Sequence, residues 1–155
     1  MPPTFWTIAV PSLLLMVRST VLINIDKNVQ LCSFRRENRK DLTNSNLNRI
    51  PSDLPDDTEY LDVSENNISS IIHDDLYRLT RLCFLKITHC GLRFISPDAF
   101  YNNSELKVLN ISYNPLTVIP YLSLPQLRIL DLSGNDYDSY TLPAFFSNLT
   151  YLTTF

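Results

Sequence analysis

From Thr58 to Tyr137 the apolar positions recur in one frame. TEYLDVSENNI, LCFLKITHCGL, LKVLNISYNPL and LRILDLSGNDY all fit LxxLxLxxNxL, opening at Thr58, Leu82, Leu106 and Leu127 with spacings of 24, 24 and 21 residues. Leu61/Val63, Leu85/Ile87, Leu109/Ile111 and Leu130/Leu132 lie two apart, so in a short strand each pair points to one face. Asp62, Lys86, Asn110 and Asp131 point to the other. A unit of this length cannot bury its apolar face alone and must stack on its neighbours.

The period and frame are those of leucine-rich repeats, for which roughly 20–29 residues per unit is usual. The predicted fold is an α/β leucine-rich repeat solenoid, a horseshoe segment with parallel strands on the concave face and irregular or short helical return segments. Asn66, Asn114 and Asn135 take the ninth place of their frames, where an amide can satisfy loop backbone groups with both its donor and its acceptor. Cys90 stands there in the second repeat, a small apolar rung. Ile71, Ile95 and Ile119 are expected to close the core from the return side, with Leu76, Phe100 and Phe145 beyond them. Pro115, Pro120 and Pro125 favour an extended return in the third unit.

Ahead of the repeats, residues 5–17 are mostly apolar and too short to span a bilayer. They read as a signal peptide over residues 1–19. Residues 20–57 are expected to cap the solenoid, with Leu42, Leu47 and Ile50 at repeat-like spacing. Residues 58–155 then hold about four complete repeats and a fifth, opening at Leu149 and Leu152, that is cut short at Phe155. Arg35, Arg36, Arg39 and Lys40 form a basic cluster interleaved with Glu37 and Asp41, best read as a solvated cap edge.

The formal charge of −3 and the pI near 5.2 give no field to attract phosphate backbones, so no nucleic-acid partner is expected. No catalytic, metal or cofactor site is expected either. His73 and His89 have no nucleophile at a motif spacing, GxSxG and HExxH are absent, and Gly91 and Gly134 cannot build a phosphate loop. Asn67, Asn102, Asn110 and Asn148 open N-glycosylation sequons. Three cysteines leave an odd one. An oxidising compartment allows a Cys32–Cys83 bridge, but two stacked units between them argue for Cα atoms beyond the bridging limit of ~7 Å. An unbridged Cys32, or one paired outside this sequence, is the expectation.

The succession IPSDLPDDTEYLDVSENNISSI, LRFISPDAF, LKVLNISYNPLTVI and LRILDLSGNDY with FSNLTYL resembles the N-terminal cap and first repeats of a Toll-like receptor ectodomain. Its cysteine-poor cap is similar to the lipopeptide-sensing subgroup. The resemblance implies an innate immune receptor that binds a microbial ligand and pairs with a partner receptor chain. It also implies a secretory route to the extracellular side of the plasma membrane, with a membrane span lying beyond this sequence. A secreted adhesion or matrix protein and a short soluble decoy receptor are the alternatives. If the segment binds anything, the strand positions facing away from the core carry it: Glu59, Tyr60, Asp62, Phe84, Lys86, Lys107, Val108, Asn110, Arg128 and Asp131, expected to be exposed.

Overall fold

The computed structural model describes residues 31–33, 35–118 and 122–137. Along the chain lie β1 (Arg39–Asp41), β2 (Tyr60–Asp62), β3 (Ser70–Ile71), α1 (His73–Leu76), β4 (Phe84–Lys86), β5 (Phe94–Ile95), β6 (Val108–Asn110) and β7 (Ile129–Asp131). β1, β2, β4, β6 and β7 form one parallel sheet in that order, and β3 pairs with β5 in a two-stranded parallel sheet on the return side. This is a leucine-rich repeat solenoid with little helix. The expected signal peptide, Ile119, Phe145, Asn148 and the fifth repeat fall outside the described residues.

The register follows the frame. Leu61 stands opposite Leu85, Leu85 opposite Leu109, and Leu109 opposite Leu130, so the leucines of successive turns pack in a continuous row. All four are fully buried, as are Val63, Ile87 and Ile111. Ile71, Ile95, Leu76 and Phe100 close the core from the return side, as the spacing predicted.

The asparagines perform the ladder role. Asn114 Nδ2 donates to Ile87 O at 2.7 Å and Ile111 O at 3.1 Å, and its Oδ1 accepts from the backbone N–H of Cys90 and Leu92. Asn66 binds the cap in the same way, donating to Leu42 O and accepting from Ser45 and Leu47. Cys90 takes over both halves of the role. Its Sγ donates to Val63 O at 3.2 Å, while the backbone N–H groups of Asn66 and Ile68 hydrogen-bond to the sulfur.

The residue before each ladder position is left-handed: Glu65, His89, Tyr113 and Gly134 have φ of 58°, 55°, 55° and 66°. Only the last declares this in the sequence, since the others carry a Cβ penalty that the stacked turns impose. At Gly134 a Cβ would also come 2.6 Å from Tyr113 Cδ1. Gly134→Ala should therefore destabilise by about 1–2 kcal/mol, visible in a denaturant titration. An unchanged midpoint would mean that the turn rearranges freely.

The cap is locked to the first repeat on the return side. The Asp75 carboxylate, 4% exposed, accepts from the Ile72 N–H at the start of α1 and pairs with Arg49 at 3.1 Å. Arg78 reaches back to Ser52 O at 2.8 Å and Asp56 at 2.6 Å. Leu42 and Leu47 pack on the core, and Ile50 is within it. Of the basic cluster, Arg35 lies near Glu37 and Arg39 near Asp41, both at 3.9 Å and exposed, so it is a solvated edge.

The expectation of an unbridged Cys32 fails. Cys32 and Cys83 form a disulfide with Cα atoms 6.0 Å apart. The error lay in treating residues 31–33 as one more stacked rung. Lys107 Nζ, two repeats along, donates to Leu31 O at 3.3 Å, so this segment runs across the strands near their first residues and reaches several turns at once.

Candidate functional site

Of the face residues that the sequence singled out, Tyr60, Asp62, Phe84, Lys86, Val108, Asn110 and Asp131 flank the core leucines within their strands and Glu59, Lys107 and Arg128 lie just ahead of them, but they are not an exposed row. Tyr60, Asp62, Phe84 and Val108 are buried, and Glu59, Lys86, Lys107, Asn110, Arg128 and Asp131 are half-buried. Strands in register bring equivalent side chains within contact of one another, and here they satisfy each other. Tyr60 and Phe84 stack with centroids 4.5 Å apart, Arg39 lies 4.2 Å over the Tyr60 ring, and Cys32 joins Tyr60, Phe84, Val108 and Ile129 in a second apolar cluster.

The last residue of β1, β2, β6 and β7 serves the turn that follows it. Asp41 Oδ1 accepts from the Thr43 hydroxyl at 2.7 Å, Asn110 Oδ1 from the Ser112 hydroxyl at 2.7 Å, and Asp131 Oδ1 from the Ser133 hydroxyl at 2.7 Å. Asp62 accepts from the Ser64 N–H at 3.0 Å. This Asx–Ser/Thr turn recurs at Asp41-x-Thr43, Asp62-x-Ser64, Asn110-x-Ser112 and Asp131-x-Ser133, on every rung but that of Lys86. The Thr43 hydroxyl bond lowers the Asp41 pKa. Lys86 completes the row by pairing with Asp62 at 3.2 Å, and Asn110 Nδ2 donates to Asp131 Oδ2 at 3.1 Å.

An opening lies at the strand starts. A cleft of about 390 Å³ is lined by Cys32, Ser33, Glu59, Arg81, Cys83, Glu105 and Lys107. Glu59 accepts from Asn38 and Lys107 donates to Leu31 O. Arg81 and Glu105 are exposed and have no ion-pair partner among the described residues. A cleft whose rim carries a cation and an anion unpaired among the described residues suits a charged partner surface. Sequence reasoning named Glu59 and Lys107 but missed Arg81 and Glu105, which stand just before the frame at equivalent places 24 residues apart. A polar residue immediately ahead of each frame was the available signal.

Among the described residues no group of three or more His, Cys, Asp or Glu could hold a metal ion. His89 is exposed and stacks on Tyr113 at 4.8 Å, and His73 lies beside Asp74. Burial raises the Cys90 thiol pKa, so the thiolate is disfavoured in the folded chain. Cys90 should resist iodoacetamide at pH 8 until the chain unfolds; fast alkylation of native protein would contradict its place in the ladder. Burial, with Asp62 adding to it, pushes the Tyr60 hydroxyl up to about 12. Its folded pKa exceeds the ordinary value of 10, so its contribution to stability is intact below pH 10 and is lost as pH rises towards 12. Absorbance titration of the phenolate, compared with Tyr60→Phe, checks this.

Leucine rich repeat family models match residues 85–136 in one case and 57–79 with 126–149 in another, together more than half of the chain. Toll-like receptor 10 of Bos taurus is 32% identical over 77% of this chain and 15% of its own length, and Toll-like receptor 1 of Homo sapiens is 32% identical over 72% and 14%. Fibromodulin of Gallus gallus is 32% identical over 68% of the chain and 28% of its own length. The crystal structure of the mouse RP105/MD-1 complex superposes with a TM-score of 0.56 at 28% identity, over 70% of this chain and 23% of that one. The chain thus spans about a seventh of the Toll-like receptors it matches.

Proposed function

For a chain that belongs to the leucine-rich repeat family and whose cap and first repeats are of the Toll-like receptor type, we propose the role of an N-terminal ectodomain segment of a pattern-recognition receptor of innate immunity. It is a non-catalytic scaffold that binds a protein partner. The observation that carries this reading is the cleft beside the Cys32–Cys83 bridge, with Arg81 and Glu105 free at its rim. Among the described residues the strand side chains of the outer face are engaged with one another, which favours recognition at the strand starts. RP105 is seen in complex with MD-1, which supports a protein partner here; a microbial ligand and a second receptor chain belong to the same proposal.

The disulfide supports an oxidising, secretory location, and a signal peptide over residues 1–19 fits it. A membrane span would lie outside the described residues, among which no helix is long and apolar enough to cross a bilayer. A second reading, a secreted matrix module, is favoured by the fibromodulin match. Charge reversal separates binding at the cleft from binding elsewhere. Arg81→Glu with Glu105→Arg in the full receptor should weaken partner capture about tenfold or more at unchanged surface level. Unchanged capture would remove the cleft from the interface.

A further inference from the structure

Three sequon asparagines are among the described residues, and their surroundings differ. Asn67 is exposed in the turn after the Asn66 rung, and its side chain makes no hydrogen bond among the described residues. Only its backbone N–H is used, donating to Leu47 O at 2.8 Å. Asn102 is half-buried and spends its Nδ2 on Tyr77 O at 3.0 Å. Asn110 is the most engaged: Oδ1 accepts from both the N–H and the hydroxyl of Ser112, while Nδ2 donates to Asp131.

The Asn110 triplet also has another origin. Asn110-Ile-Ser112 occupies the same frame positions as Asp41-Leu-Thr43, Asp62-Val-Ser64 and Asp131-Leu-Ser133. All four make the same turn, and in three of them the position is an acid that no oligosaccharide can modify. A sequon arises whenever the acid is drawn as its amide. We infer that Asn67 is the N-glycan attachment site among these three and that Asn110 is a turn residue left bare.

The linkage is to Nδ2, so a glycan replaces one of its two hydrogens and needs open space beyond it. Asn67 has that space. At Asn110 the sugar would crowd the neighbouring rung, where Asp131 stands at hydrogen-bond distance, and would stand on the outer face. At Asn102 the sugar would have to enter a half-buried position beside the Tyr77 carbonyl of the preceding repeat. Asn67 follows the strand on its C-terminal side, whereas the cleft lies at the strand starts. A glycan on Asn67 therefore leaves the proposed partner surface uncovered.

The inference rests on the secretory reading, and the test separates the two. The full chain would be expressed in mammalian cells, and the recovered protein released from its glycans by glycosidase in heavy-oxygen water, so that each formerly modified asparagine is marked as labelled aspartate. The expected result is label on Asn67 and none on Asn102 or Asn110, with Asn67→Gln losing one glycan's mass. Label on Asn110 in folded, secreted protein overturns the inference while upholding secretion. Protein in the medium with Asn67 unlabelled overturns it as well. Protein retained in the cytosol without any glycan overturns the secretory reading and this inference with it.

Discussion

Replacing Cys32 and Cys83 together by serine should cost about 4 kcal/mol. The bridge closes a loop across a sequence separation of 51 residues, and the loss of chain entropy that it imposes on the unfolded state is of that size. The folded state loses order as well. Among the described residues, 31–33 are otherwise held by the Lys107 contact to Leu31 O and the packing of Cys32 on Tyr60 and Phe84. Amide protons of β2 and β4 should exchange roughly 1,000-fold faster in the variant, and reduction of the native protein should reproduce the change. Unaltered exchange would show that the segment is not structurally coupled to the sheet. The same variant should lose the cleft, because Cys32 and Ser33 form one of its walls, so partner capture should fall with stability.

Leu109→Ala comes next, at about 2–5 kcal/mol through lost transfer energy and the cavity left behind. Leu109 is fully buried between Leu85 and Leu130. Each neighbour belongs to a different repeat, so the cavity weakens two stacking interfaces at once. Strand amides from β4 to β7 should exchange roughly 30- to 4,000-fold faster. Those of β1, on the far side of β2, should be affected least. Retained protection throughout would place Leu109 outside the core and put the frame itself in doubt.

These two effects divide what could be read from the chain. Leu109 was legible because a repeat is a local pattern: alternate residues face opposite ways in a strand, and the period fixes which turn stacks on which. The same locality made Asn66, Asn114 and Asn135 readable as a ladder, and Cys90 as its variant rung. The bridge was not legible, since its partners are close only because residues 31–33 cross the strands, a path that no period encodes. Tyr60 and Phe84 were misjudged for a related reason. Alternation shows which way a side chain points, but their burial comes from each other, from Cys32 and, for Tyr60, from Arg39, residues that belong to four different segments.

The sequence by itself determined the solenoid, its core rows and its amide ladder, because these depend on residue type and spacing within one turn and its neighbour. Tertiary structure alone decided which outer side chains remain available. Asp62, Asn110 and Asp131 look like binding residues until the turns that consume them are in view, while Arg81 and Glu105 look like background until the crossing segment builds a cleft beside them. Availability is what remains after every other contact has been made, and those contacts are set by packing between turns rather than by the residues themselves.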